Sequence, residues 1–176
     1  MHRHAWLLYI GGMEIYLLRH GLAVERGTAG FAEDALRPLT PKGRRQLRKT
    51  AGAIGRLAGD FDLILSSPLA RARQTAEILA GELGLKKRVK LSPALAPNGE
   101  AAGVLRQLKR ERPGKVLLVG HEPDLSRLAS WLVTGHTRLR MDLKKGGLCK
   151  LEATPLAAGG ATLAGLLTPK NLKQMD

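Results

Sequence analysis

Short apolar runs of strand length alternate along this chain with longer stretches whose apolar residues recur at helical spacing. The two periodicities are separable because strand side chains alternate between faces, whereas helical ones return every third or fourth position. Residues 14–18, 62–65, 89–91 and 115–119 read as strands. Between the first two, Thr40-Pro41 supplies an N-cap and a first-turn proline, and Leu47, Ala51, Ile54 and Leu57 continue the helix on one face. A second helix is predicted over 69–83, with Ala72, Thr75, Ala76, Leu79 and Leu83 in one stripe and Gly84 as its stop. Residues 99–111 and 125–133 read as two more helices. Parallel strands need a crossover between them, and a helix usually supplies it. The expected class is therefore α/β, a three-layer α/β/α arrangement around a mostly parallel central sheet. Strands at 148–152 and 162–167 are separated only by the turn-rich segment 155–160, so they should form an antiparallel edge.

With 176 residues the chain can form one domain that buries roughly 70% of its unfolded surface without disulfide or metal staples. Aromatic residues are only 3%, so Leu, Ala, Val and Ile must build the core. Cys149 is the single cysteine, which excludes an internal disulfide framework and a cysteine-rich zinc site and fits a reducing, cytoplasmic setting. The apolar run at 5–10 is too short to span a bilayer, and Gly11, Gly12 and Glu14 separate it from the next one. No small-residue cleavage site follows it. The fold is expected to begin near Met13, an alternative start codon, leaving 1–12 as an extension and 13–176 as the domain, with no membrane association.

In open α/β sheets, ligands bind at the carboxyl ends of the strands. Three strand ends here carry uncommon residues. The first delivers Arg19, His20 and Gly21; the second delivers Ser66-Ser67-Pro68, with Arg71 at the start of the next helix; the 115–119 strand delivers Gly120, His121 and Glu122. A lone histidine or arginine in such a place is ordinarily structural or solvated. Two of each at one end of one sheet call for a ligand. A phosphoryl group offers three non-bridging oxygens to donors, and arginine answers with a planar fork whose charge persists at any relevant pH. Histidine can act as nucleophile or as donor near neutrality. There is no GxxxxGK[ST] loop and no acidic cluster to hold Mg²⁺, so the pattern points to phosphoryl transfer to water with neither metal nor organic cofactor.

Leu18-Arg19-His20-Gly21 resembles the RHG signature of the histidine phosphatase (phosphoglycerate mutase-like) superfamily. The segment Ser66-Ser67-Pro68-Leu69-Ala70-Arg71-Ala72-Arg73-Gln74-Thr75-Ala76 is similar to that superfamily's second motif, and Gly120-His121 to its third. Arg37-Pro38-Leu39-Thr40-Pro41-Lys42-Gly43, Leu95-Ala96-Pro97-Asn98-Gly99-Glu100 and Thr168-Pro169-Lys170-Asn171-Leu172 resemble the short SixA-type phosphohistidine phosphatases. The resemblance runs from Met13 to Leu172. It implies that His20 is the nucleophile, transiently phosphorylated, and that Arg19, Arg71 and His121 complete the phosphate pocket. Gly21, Ser67, Arg37 and Glu100 are the further substrate-binding candidates. Arg37 could equally tie the 22–39 loop, and Ser67 could cap the helix after it. The substrate so implied is a phosphohistidine protein, with a small phosphomonoester as the alternative. No EGxWEG-like segment of the mutase branch is present. Glu100 is the first candidate for a general acid and Glu122 the second. A phosphohistidine substrate relaxes that requirement, because imidazole leaves more easily than an alkoxide.

The formal charge of +14 favours anionic partners. Arg44, Arg45, Arg48 and Lys49, the basic residues within 86–90, and Lys144-Lys145 could steer an acidic phosphoprotein toward the crevice, or be simply solvated. Nucleic acid is not expected as a partner. The basic residues are scattered, only two Tyr, two Phe and two Trp are available for stacking, and no nucleic-acid-binding signature is present.

Overall fold

A computed structural model describes residues 12–175. Its elements run β1 (Met13–Arg19), α1 (Pro41–Ala58), β2 (Leu63–Ser66), α2 (Ala70–Glu82), β3 (Val89–Leu91), α3 (Ala101–Glu111), β4 (Lys115–Gly120), α4 (Asp124–Thr134), β5 (Leu148–Ala153), β6 (Ala161–Leu167) and α5 (Pro169–Gln174). The strands form one sheet in the order β3-β2-β4-β1-β5-β6. The first four are mutually parallel, β5 runs antiparallel to β1, and β6 antiparallel to β5. The expected α/β class is what forms, with an antiparallel edge two strands wide.

Residues Ile15 to Leu18 of β1 are all buried, as a parallel strand covered on both faces requires. Their alternation feeds two cores. Ile15 and Leu17 join Val116, Leu118, Val104 and Leu125 under α3 and α4. Tyr16 and Leu18 join Ile64, Leu117, Ile54, Leu79 and Leu172 under α1, α2 and α5. These are the three expected layers, built almost wholly from aliphatic side chains. Cys149 is fully buried in β5, where burial pushes its thiol up to about 12, so it has no reactive thiolate.

Local signals set most helix ends. Thr40 caps α1 by accepting from the Gly43 amide at 3.0 Å, with Pro41 in the first turn. Leu47, Ala51 and Ile54 face the core as expected, but the stripe ends on Ala58, and Leu57 is 38% exposed. One step of three, from Ala51 to Ile54, stays on the face, but a second in succession rotates off it, and the step of four to Ala58 returns to it. The third helix starts at Ala101 rather than Gly99, because Gly99 belongs to a tight turn. A Cβ at Gly99 would lie 2.3 Å from the Ala94 carbonyl oxygen. At the other end of the domain, Thr168 and Asn171 form a capping box that starts α5, and buried Leu172 pins the helix to the sheet.

Register decides what meets at the carboxyl edge. β2, β4 and β1 are neighbours in the sheet, with Ser66 opposite Val119 and Arg19 opposite Gly120. The ladder continues one residue further, from the His20 amide to the Gly120 carbonyl at 3.1 Å and from the Ser67 amide to the Val119 carbonyl at 2.9 Å. Residues 20, 67 and 121 therefore leave the sheet at one level. Among the described residues no helix is long and apolar enough to cross a membrane. The apolar run at 5–10, with His2 and His4, lies outside the described residues.

Candidate active site

His20 leaves the end of β1 with 7% of its surface exposed. Its two ring nitrogens have partners that fix the tautomer from both sides. Nδ1 lies 2.8 Å from the Gly21 carbonyl oxygen, which can only accept, so Nδ1 carries the proton. Nε2 lies 3.2 Å from Arg71 Nε, which can only donate, so Nε2 carries the lone pair. Burial, reinforced by the charges of His121, Arg71 and Arg19, lowers the pKa of His20 to about 3. The ring is thus neutral at neutral pH, with Nε2 available as a nucleophile.

His121 leaves the end of β4 with its ring centroid 5.1 Å from that of His20. Its Nε2 lies 2.9 Å from Ser67 Oγ. That hydroxyl oxygen also accepts from the Leu69 amide at 3.3 Å, and it keeps both its proton and a second lone pair for the imidazole. His121 Nδ1 is buried with no hydrogen-bond partner, and so is Arg19 Nε. Two orphaned buried nitrogens on side chains beside His20 are costly in a fold; Arg19 Nε is a donor for an incoming anion, and His121 Nδ1 is one when Nε2 accepts from Ser67. Burial, then the charge of Arg71, lowers His121 to about 4.

The arginines are held by backbone carbonyls and one carboxylate. Arg19 Nη1 donates to the Leu143 carbonyl at 3.0 Å. The Gly146 amide reaches the carbonyls of Arg19 and His20 at 3.0 and 3.1 Å from a backbone with φ +75°, a conformation glycine adopts without strain. Arg71, at the first turn of α2, is 3% exposed and donates Nη1 and Nη2 to the carbonyl and carboxylate of Asp34 at 2.8 and 3.0 Å.

Of the residues singled out in the sequence, Arg19, His20, Arg71, His121 and Ser67 come together. The others are placed differently. The Gly21 amide is committed to Thr75 Oγ1 at 3.1 Å, and a Cβ there would lie 2.9 Å from Leu47, so Gly21 serves close packing. Arg37 ties the loop: it donates to the Val24 carbonyl and to Asp34 at 2.7 and 2.9 Å. Ser67 does not cap α2, whose N-cap is Leu69; it orients His121 instead. Glu100 stands outside the cluster, its side chain 79% exposed and paired with Arg106 at 3.7 Å. Glu122 is half-buried, and its carboxylate accepts from the Ser126 hydroxyl and amide at 2.6 and 3.2 Å. Burial raises its pKa.

Sequence reasoning missed Asp34 and the anchoring role of Thr75. Asp34 sits in a loop without periodicity, where its only signal is a position three residues before Arg37. Thr75 lies on the apolar stripe of α2 and read as core, yet it holds Gly21 and donates to the Arg71 carbonyl at 2.7 Å.

A cavity of about 550 Å³ opens beside His121 between α3 and α4, lined by Leu95, Val104, Leu105, Leu125 and Trp131. A separate groove of about 410 Å³ follows α1 and α5, where Lys42, Arg45, Lys49, Lys170 and Lys173 line it without a carboxylate. The other basic stretches are partly neutralised, Arg48 by Glu82, Lys90 by Glu111 and Lys144 by Asp142.

Residues 15–97 match the model of the histidine phosphatase superfamily, branch 1. A protein of Picosynechococcus is 43% identical over 145 residues, covering 80% of this chain and 86% of that one. Phosphohistidine phosphatase SixA of Escherichia coli is 29% identical over 164 residues, covering 92% of this chain and 97% of that one. The chain belongs to the histidine phosphatase superfamily and is a phosphatase by class. Within that superfamily its likeness is to SixA. The structure of the protein histidine phosphatase SixA complexed with tungstate matches with a TM-score of 0.78 at 27% identity, over 92% of this chain and all of the other.

Proposed function

We propose that the chain hydrolyses phosphohistidine on a partner protein through a covalent intermediate on His20, with no metal ion or organic cofactor. The observation that carries this reading is the doubly determined tautomer of His20, which leaves Nε2 as an unprotonated nucleophile against Arg71. Nε2 attacks phosphorus, the bond from phosphorus to the substrate nitrogen breaks, and Arg71 shifts its Nε–H from Nε2 to a phosphoryl oxygen. Arg19 Nε and, with Nε2 accepting from the Ser67 hydroxyl, His121 Nδ1 supply donors to the other oxygens as charge develops on them. Water then attacks the phosphoenzyme, the bond from phosphorus to Nε2 breaks, and inorganic phosphate leaves with His20 regenerated. The likeness to a SixA complexed with tungstate, a tetrahedral oxyanion, supports the pocket's role.

The weakness of the acid candidates favours a phosphohistidine substrate. Glu100 is solvated and Glu122 is bonded to Ser126. A phosphoimidazole departs as neutral imidazole once its other nitrogen is protonated, whereas an ester needs a proton delivered to its alkoxide. The cationic groove along α1 and α5 suits an acidic protein surface. The cavity beside His121 supports the second reading, a small phosphomonoester. Rates on a phosphohistidine protein and on sugar phosphates, measured side by side with trapping of an acid-labile phosphoenzyme, decide between them. Faster turnover of the sugars would end the first reading. Hydrolysis by wild type no faster than by His20→Ala would end both.

A further inference from the structure

Asp34 belongs to none of the three motifs, yet its backbone and side chain converge on the catalytic arginine. Its carbonyl oxygen accepts from Arg71 Nη1 at 2.8 Å, and its Oδ2 accepts from Nη2 at 3.0 Å. A guanidinium is a rigid plane with two usable edges, one between Nη1 and Nη2 and one between Nη2 and Nε. Asp34 takes the first edge. The second is turned toward His20, whose Nε2 lies 3.2 Å from Arg71 Nε. Asp34 is itself held by two more arginines, which share its Oδ1. Arg37 reaches it with Nε at 2.9 Å and Nη2 at 2.7 Å, and Arg26 reaches it with Nε at 2.9 Å.

We propose that Asp34 is the positioning residue of the phosphate pocket: it grips the outer edge of Arg71 so that the inner edge, Nε–H with one Nη2–H, is presented as a fork to the phosphoryl group at His20. The inference rests on the phosphoryl-transfer role of His20 and Arg71. A one-turn 3-10 helix at Asp34–Leu36 makes the double grip possible, because it brings a main-chain carbonyl and a short carboxylate to the same guanidinium edge. A longer side chain would move the carboxylate away from that carbonyl. Burial alone would raise the pKa of Asp34, but the Arg37 hydrogen bond and the Arg71 charge outweigh it and hold the carboxyl at about 2. Asp34 therefore has no proton to give at neutral pH and does not supply a general acid. Its charge offsets part of the surrounding guanidinium field while leaving that field positive.

The test uses the full chain with two readouts, tungstate binding by titration calorimetry and single-turnover hydrolysis of para-nitrophenyl phosphate. Asp34→Ala should lower the rate at saturation about 10²-fold, the order expected when a charged donor is misaligned. The half-saturation concentration should change much less, and tungstate binding should weaken. Asp34→Asn should lose less, because its amide oxygen still accepts from Nη2. In an Arg71→Lys background, where the ammonium has no edges to align, either Asp34 change should cost almost nothing further. Wild-type rate and tungstate affinity in Asp34→Asn and Asp34→Ala, or the same loss in both backgrounds, would overturn the proposal. If Asp34→Ala melts below the assay temperature, the near-isosteric Asp34→Asn carries the same cycle. Wild type that neither binds tungstate nor forms a phosphoenzyme would overturn the proposed function itself. Normal wild-type binding with an indifferent Asp34 overturns this inference alone.

Discussion

The crevice has a floor and a wall, and they are built on different principles. The floor is the edge of the sheet, where His20, Ser67 and His121 leave three adjacent strands whose ladders hold them level. Its side chains are nearly buried, with His20 at 7% and His121 at 3% exposure, and Arg71 reaches over them from the first turn of α2. The wall is the 22–39 loop, held to the floor by Asp34, whose side chain is 37% exposed. Backbone hydrogen bonds position the floor, whereas long-range ion pairs position the wall. Chemistry that demands tight geometry is therefore expected on the floor, and adjustment of that geometry from the wall.

The largest expected effect falls on the floor. His20→Ala should abolish the acid-labile phosphoenzyme and bring turnover to background, measured by trapping and steady-state kinetics; a phosphoenzyme that survives would move the nucleophile elsewhere. Next, Arg19→Ala should cost about 10²–10³ in kcat, as loss of a transition-state donor does. Arg37→Ala should cost only about tenfold, because Arg37 acts through Asp34 and gives up roughly one charged hydrogen bond's worth of ordering. Equal losses from the two arginines would erase the distinction between floor and wall. Ser67→Ala should lower kcat by roughly tenfold, the scale of one hydrogen bond, by releasing the His121 ring from its partner.

The smallest effect is in stability against pH. His20 and His121 have folded values of about 3 and 4, below the roughly 6.5 of an unfolded histidine. Below pH 6.5 the unfolded chain takes up protons that the folded one refuses, so stability should fall as pH drops from 6.5 toward 4. His20→Gln should flatten that slope in thermal melts; an unchanged slope would mean that burial of this ring is not what makes the fold acid-sensitive. Asp34 acts in a lower window, its contribution present above pH 4 and lost as pH falls toward 2.

Much of the floor could be read from the chain, because its signals are local. The apolar runs ending in Arg19-His20-Gly21 and Gly120-His121 announce both the strands and the place where side chains emerge. The wall could not be read in the same way. The pull on Asp34 comes from Arg71, 37 positions away, and nothing in a loop without periodicity reports it. Glu100 shows the opposite error: its position near a helix start suited an acid, but the Gly99 turn leaves its side chain in solvent. The sequence offers Arg37 and Ser67 two roles each; long-range contacts select the loop for Arg37 and give Ser67 a third role, the orientation of His121. Asp34 drew Arg37 into the loop, and His121 drew the Ser67 hydroxyl away from capping.

The amino-acid order alone determined the α/β class, the layering and which four side chains, Arg19, His20, Arg71 and His121, emerge at one end of the sheet, because hydrophobic period and strand-end placement act over neighbouring residues. Tertiary structure alone decided the tautomer of His20, the pairing of His121 with Ser67, the commitment of Gly21 to packing, and the grip of Asp34 on Arg71. Each of these depends on which donor faces which acceptor once distant segments meet, and hydrogen-bond direction has no trace in a linear pattern.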